Sequence, residues 1–346
     1  MKSKQLTLAL LTVSVIGLLF IPVQPAFATG RAEQAAEARP IVWKFPIASV
    51  PGEPYYDLYA QHLKDEIEAR TNGRLTIEMF SETEIGTGPE IVLGLQTGAV
   101  EMHSQAFSIL QSYVPEVSFL SLPFIIEDKD HMARFMETAE GRDLLRAGED
   151  YGVYIFRPGV MGYLFPVARN RVLPTLEDFR GFNMRVIENT MHIDTMRALG
   201  ANPVVLPYGE VYTGMRTGIV DGYVNDRTSF VYLSIYEVGP YYTELPVFVS
   251  GVSMVVSKAA FDALPPDIQI IVREVIEEAV PIVQAYSWEY NVAGDPAWKG
   301  QMFREYVSME EITLEPFVKA VAPLYDRFLR ENPGQRRFVE AVDRVR

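Results

Sequence analysis

The 346-residue chain contains no cysteine. That removes disulfides, thiolate nucleophiles, Cys-ligated zinc and iron–sulfur clusters together. Histidine is scarce: His62, His103, His131 and His192 fall in separate elements with no ligand spacing, so a His-based metal centre has little to draw on. Positive charge is also in short supply. With 31 Lys+Arg against 45 Asp+Glu the net charge is −14. Such a balance disfavours nucleic acid, whose phosphates need a basic footprint, and a polybasic membrane-surface role. There is no G-x-x-x-x-G-K-[ST] phosphate loop, no H-E-x-x-H and no G-x-S-x-G elbow. Gly86-x-Gly88 lacks the third glycine of a dinucleotide loop, since Ile91 stands in its place, and it reads as a turn. Glu127, Asp128 and Asp130 lack the calcium-loop spacing and read as a solvated helix start. No catalytic residue, cofactor or metal is expected.

What is present describes an ordinary globular chain, 48% hydrophobic and 22% charged, of a length suited to about two domains. Lys2 and Lys4 precede an apolar run from Leu6 to Val23, and Ala26-Phe27-Ala28 follows. That is the layout of a secretory signal peptide, with the cut expected after Ala28. A retained membrane anchor is the other reading of the run, and Pro22 and Pro25 ahead of the Ala-x-Ala site favour cleavage. No later segment is apolar for long enough to span a bilayer, so an exported, soluble protein is expected, with 29–39 a flexible lead-in.

From Ile41 onward, strand and helix patterns alternate. Ile41, Trp43, Phe45 and Ile47 keep period two, as do Leu75, Ile77 and Met79. Between them Tyr55, Tyr59, Leu63 and Ile67 fall on one helical face in a helix expected over 53–70 and stopped by Gly73. Later, Leu176–Phe179, Thr190–Leu199 and Tyr208–Arg216 read as helices, and Asn183–Ile187 and Val204–Leu206 as strands. This order predicts an α/β protein with mostly parallel sheets. Val247–Ser257 reads as a buried strand crossing between lobes, and Asp267 as the cap of a long helix that continues toward Tyr290 with Pro281 inside it.

Two stretches echo each other. Gly94-Leu-Gln-Thr-Gly-Ala-Val-Glu101 matches Gly214-Met-Arg-Thr-Gly-Ile-Val-Asp221 in spacing, with Gly, Thr, Gly and Val shared. Each is a helix end, a glycine stop and a strand leading to an amide, Gln105 or Asn225. Thr-Gly is a common helix stop and coincidence could supply the match; the alternative is two α/β lobes of similar build facing each other across a cleft.

One cation stands out. Arg185 lies within Phe182-Asn183-Met184-Arg185-Val186, on a strand expected to be buried in a parallel sheet. A charge placed there needs an anionic partner. That partner is either an internal carboxylate or the carboxylate of a ligand gripped by the guanidinium fork.

Several segments together resemble the solute-binding, DctP-type subunit of TRAP transporters. They are Leu176–Val186, Leu199-Gly-Ala-Asn-Pro-Val204, Pro207-Tyr-Gly-Glu-Val-Tyr212 and Gly218-Ile-Val-Asp-Gly222. Thr71-Asn-Gly-Arg-Leu75, Pro115-Glu116 and Leu122-Pro-Phe124 resemble further motifs of that family, and the likeness covers nearly all of the chain after the leader. The resemblance implies a periplasmic-binding-protein-like fold: two lobes, two mixed and mostly parallel sheets, and a long helix spanning both. Lobe I is expected at 40–162 plus 251–290, and lobe II at 163–250 plus 291–346. It implies a noncatalytic periplasmic receptor, with a monomer expected and a dimer left open. The receptor would hand a small organic acid to the membrane subunits of a sodium-driven permease.

Carried over by motif, Arg185 grips the ligand carboxylate in two prongs, Tyr208 packs on the ligand and Asn225 contacts it. Glu210 and Tyr212 serve local architecture. Many sialic-acid-type members carry a second ligand arginine about twenty residues earlier, where this chain has Phe165. Arg169 shares that parity only if the strand continues through Pro166. The missing arginine favours a smaller or more apolar monocarboxylate, such as a 2-oxo, 2-hydroxy or aromatic acid. A sugar acid such as a uronate and a periplasmic carboxylate enzyme are the alternatives. Tyr55, Gln105 and Phe107 lie where strand ends and loops of lobe I meet the cleft, as cleft wall or as core.

Overall fold

A computed structural model describes residues 39–47, 55–86, 88–293 and 297–346. The expected leader, its cut site and the lead-in up to Ala38 lie outside the described residues, as does the expected start of the first helix at Glu53 and Pro54. Strand β1 (Ile41–Ile47) lies parallel to β2 (Leu75–Ser81), Ile41 opposite Leu75 and Ile47 opposite Ser81. Alternation sends Trp43, Phe45, Leu75 and Ile77 into the core. The parallel pair requires a crossover. Helix α1 (Gln61–Arg70), entered through a π-turn at Tyr56–Ala60, supplies it and buries Leu63 and Ile67.

The second sheet contains β3 (Met102–Ala106), β4 (Val153–Ile155), β5 (Gly159–Ala168), β6 (Asn183–Val186), β7 (Asn202–Val205), β8 (Gly222–Asn225), β9 (Tyr241–Thr243), β10 (Phe248–Ser257) and β11 (Glu305–Val307). Its path runs β11-β9-β5-β8-β6-β7, and β10 joins β5 to β3 and β4. Among the described strands, every antiparallel pairing involves β5 or β10. The remaining pairings are parallel. Parallel pairing joins β1 to β2, β7 and β8 to β6, and β11 to β9, whereas β3 and β4 pair antiparallel with β10. Val252 of β10 sits opposite both Gly159 of β5 and Ala106 of β3, and the β5–β10 register slips between Ser250 and Gly251. Strand β5 continues unbroken through Pro166. Pro166 lies opposite Val224 of β8 and, on the other edge, in the gap between the β10 partners, which end at Leu164, and the β9 partners, which begin at Val167.

The sequence echo is an echo in structure. Helix α2 (Gly88–Thr97) and helix α3 (Val211–Thr217) end at Gly98 and Gly218 with φ of 77° and 83°. The amides of Ala99 and Ile219 return to the carbonyls of Gly94 and Gly214 at 2.8 and 2.9 Å, the left-handed helix stop that glycine allows. Thr97 and Thr217 both donate to the carbonyl four residues back.

The long helix α4 (Pro266–Trp288) places Val272, Ile276, Ala279 and Val283 in the core with β1 and β2, and its last residue, Trp288, meets Tyr163 edge-on at 5.4 Å. It thus serves both lobes. Asp267, expected as its cap, instead pairs with Arg74; Pro265 precedes the first turn and Pro266 opens it. The segment 291–346, expected in lobe II, makes ion pairs in two directions. Its helix Glu315–Glu331 pairs Arg327 with Asp194 of lobe II, whereas Arg337 and Arg344 reach Asp143 and Glu140 of the helix Ala139–Ala147. No helix among the described residues is long and apolar enough to cross a membrane.

Candidate functional site

A cavity of about 340 Å³ opens where strand ends of the two lobes meet the crossing strands. Lobe I contributes Tyr55 and Ser104–Ile109, and lobe II contributes Arg185–Ile187, His192, Tyr208 and Val224–Asp226. Phe248–Val252 of β10 and Tyr286, Ser287, Tyr290 and Asn291 at the end of the long helix complete the wall. This is the place beyond strand ends where an open α/β sheet takes a ligand.

Arg185 is the third residue of β6, opposite Val204 on one side and Tyr223 on the other. It is 2% exposed. Its Nε donates to the Leu206 carbonyl at 2.9 Å, and its guanidinium lies 5.4 Å from the Tyr223 ring. Among the described residues no carboxylate pairs with it and the two terminal nitrogens make no hydrogen bond. Burial holds its pKa below the usual arginine value, with Tyr223 and Tyr208 acting the other way. The internal ion pair allowed by the sequence is therefore absent among the described residues, and Arg185 is a residue of the cavity wall.

The arginine is backed by a polar network. Asn225 Nδ2 donates to the Tyr223 hydroxyl and, at 3.0 Å, to Ser229 Oγ, while Asn225 Oδ1 accepts from the Asp226 amide at 2.9 Å. Ser229 Oγ donates to the Tyr208 hydroxyl at 3.0 Å. Asp226 caps the helix Arg227–Tyr232 by accepting from the Ser229 amide, and accepts from Ser250 Oγ at 2.9 Å. Burial raises its carboxyl pKa. On the lobe I side the Tyr55 hydroxyl donates to Ser104 Oγ. Gln105 Oε1 accepts from the Ala106 amide at 3.0 Å, while its Nε2 is buried without a partner. The Phe107 ring packs closely against Gly251: a Cβ there would stand 2.1 Å from it.

Of the residues named from sequence, Arg185, Asn225, Tyr208, Tyr55, Gln105 and Phe107 all line this cavity. Phe165 and Arg169 do not. Phe165 is 1% exposed and packs edge-on with Tyr163 and Tyr242 in the lobe II core. Arg169 lies beyond the end of β5 with its guanidinium beside Gly218, and it is not among the lining residues. Strand β5 runs unbroken through Pro166 but ends at Ala168, before Arg169, and the β5 residues that reach the cavity are Met161 and Leu164.

Sequence reasoning missed His192, Phe248, Asp226, Tyr286, Tyr290 and Asn291. His192 is stacked on Phe248 at 3.8 Å and 13°. Asn291 accepts from the amide and hydroxyl of Thr228 at 3.1 Å each, and donates to the Met161 carbonyl at 3.0 Å. These groups come from elements far apart in sequence, and no spacing rule would have joined them.

Residues 49–332 match the family described as bacterial extracellular solute-binding protein, family 7, or DctP. The C4-dicarboxylate-binding periplasmic protein DctP of Rhodobacter capsulatus is 25% identical over 292 residues, which is 84% of this chain and 87% of that protein. Two solved structures share the fold. A TRAP periplasmic solute-binding protein of Roseobacter denitrificans with bound β-D-glucuronate has a TM-score of 0.80 and 24% identity over 87% of this chain and 98% of its own. One from Ralstonia eutropha with bound (S)-2-hydroxy-2-methyl-3-oxobutanoate has a TM-score of 0.79 and 23% identity over 88% and 99%. Proteins of this family are extracytoplasmic receptors for small organic acids that work with TRAP membrane permease subunits, and they are not enzymes. The two-lobed fold, the interlobe cavity and the match over most of its length agree: this chain belongs to the DctP family of bacterial extracellular solute-binding proteins.

Proposed function

We propose that the cavity receives one carboxylate on the guanidinium of Arg185 and that the ligand is a small monocarboxylate of 2-oxo, 2-hydroxy or aromatic type. The observation that carries this is charge. Arg185 is the one cation among the described cavity residues, it is buried, and among the described residues it has no carboxylate partner. A fork held in this way satisfies itself on a ligand carboxylate. A second ligand carboxylate would find neutral hydroxyls and amides but no second cation among the described cavity residues, and one acid, Asp226. Asn225 and Tyr208 shape the lobe II side, and Tyr55, Gln105 and Phe107 the lobe I side.

A uronate or other sugar acid is the second reading. The hydroxyls of Ser104, Ser108, Thr228, Ser250 and Ser287 around the cavity favour it, and so does the glucuronate in the Roseobacter relative. Lobe limits near 162/163 and 250/251 are supported by the register slip at Ser250–Gly251. Closure of the lobes about the crossing strands would trap the acid before delivery to the permease. The leader would be cleaved after Ala28, and the receptor would act as a monomer.

The test is thermal unfolding of the leader-free protein against organic acids and sugar acids. A ligand at about a thousandfold its dissociation constant stabilises by about 4 kcal/mol, enough for several degrees. A shift confined to one chemical class and lost in Arg185→Ala supports the assignment; equal shifts in both proteins overturn it.

A further inference from the structure

The arginine does not account for all the unspent polar chemistry in the cavity. His192 is the third residue of the helix Thr190–Ala198, and its amide is held by the Asn189 side chain at 3.0 Å. Its side chain is 5% exposed, lines the cavity, and is held in plane by the stack on Phe248. Among the described residues neither ring nitrogen has a hydrogen-bond partner, although Asn225, Asp226, Tyr208 and Ser229 around the same cavity are all hydrogen-bonded. An imidazole in that setting offers the ligand an N–H donor on one edge and a bare nitrogen acceptor on the other. Burial and the nearby charge of Arg185 press its pKa down to about 3, so the ring is neutral at physiological pH. A neutral ring gives no second positive charge for an anion. It can instead hold a hydroxyl at one ring nitrogen, by donating to it or by accepting from it, or donate to an oxo group.

We infer that His192 is a specificity-determining residue that recognises an oxygen substituent on the carbon next to the ligand carboxylate, which restricts the receptor to 2-hydroxy and 2-oxo acids. The placement follows from neighbourhood. Arg185 takes the carboxylate, and an unpartnered ring nitrogen of His192, on the wall of the same cavity, meets what the carboxylate is attached to. An unsubstituted acid leaves the ring nitrogen that faces it without a partner. This inference rests on the carboxylate reading above and narrows it: an aromatic acid qualifies only if it carries that oxygen.

The test uses matched pairs of acids: 2-hydroxy-3-methylbutanoate with 3-methylbutanoate, phenyllactate with 3-phenylpropanoate, and gluconate with 2-deoxygluconate. Calorimetry on the wild type should show at least a tenfold preference for the oxygen-bearing member of any pair that binds, the size of one hydrogen bond to a buried group. In His192→Phe, which keeps a ring against Phe248, the preference should fall to about one while the affinity of the deoxy member stays within about twofold. A wild-type ratio near one, or a ratio that survives in His192→Phe, overturns the inference. So does an equal weakening of both members, which would place the histidine on the carboxylate itself. A readout that needs no variant is nitrogen-15 NMR of the four histidines. The ring nitrogens of one must move with the hydroxy acid and not with its deoxy partner, and stationary signals overturn the inference. Arg185→Ala separates the two levels. If it binds the acids as the wild type does, the carboxylate reading itself fails. If it abolishes binding while the wild-type ratio is flat, only the role of His192 fails. Binding of none of the six acids removes both.

Discussion

Replacing Arg185 with methionine keeps most of the side-chain volume and removes the charge. In a protein stabilised by an internal ion pair, breaking a buried pair costs about 3–5 kcal/mol. Here no carboxylate pairs with the guanidinium among the described residues, and burial already works against its charged form. The folded ligand-free protein should lose one hydrogen bond, Nε to the Leu206 carbonyl, worth about 1 kcal/mol. It should regain the several kcal/mol of effective desolvation that a buried, unpaired ion carries. The net expectation is no loss, or a gain of up to about 2 kcal/mol, in urea unfolding without ligand. Binding should change in the opposite sense. Two charge-assisted hydrogen bonds to a carboxylate contribute about 1.5–3 kcal/mol each, so affinity should fall about 10²- to 10⁴-fold. Calorimetry with the acid found by thermal screening measures the second quantity, and denaturant unfolding at pH 7 measures the first. A destabilisation of about 3 kcal/mol or more in the ligand-free protein would refute the reasoning, because it would mean that Arg185 is part of the architecture. So would unchanged affinity.

Three further outcomes follow from other residues. Between pH 6.5 and 3 the unfolded chain takes up a proton that folded His192 refuses, so its contribution is complete above about pH 6.5 and lost as pH falls toward 3. At 1.36 kcal/mol per unit the limit is about 5 kcal/mol; wild-type stability should fall more between pH 7 and pH 4 than that of His192→Phe, and equal falls would refute the assignment. Asn291→Ala strands the Met161 carbonyl and the Thr228 amide, and should cost about 2–4 kcal/mol in urea unfolding; a cost under about 0.5 kcal/mol would show that solvent replaces the bonds. Gly251→Ala drives a methyl into the Phe107 ring and should cost about 1–3 kcal/mol, partly recovered in combination with Phe107→Leu; additive losses in the double variant would show that the two do not touch.

The features legible in the sequence were those that chain-local chemistry decides. Thr97-Gly98 and Thr217-Gly218 end their helices because the helical register, the threonine back-bond and a left-handed glycine all act within a few residues. Period-two runs in β1, β2 and β6 declare buried strands in the same way. A buried arginine in such a run is a problem that only a partner can solve, so Arg185 could be singled out without knowing where its strand lay. Motif resemblance then supplied Tyr208 and Asn225, and the strand ends of the echo supplied Gln105.

Which face of a strand meets the cavity was decided elsewhere. Strand β5 is paired by β8, β9 and β10 along different stretches, so alternation alone does not say that Met161 and Leu164, rather than Phe165, are its residues on the cavity wall. The same holds for His192, which reads in sequence as one scattered histidine on a helix. It becomes a cavity residue only because β10 brings Phe248 beneath it from 56 positions away in the chain. Periodicity and spacing report the geometry of one element at a time. The cavity is made between elements, and the packing of β5, β10 and the end of the long helix chose which side chains would face it.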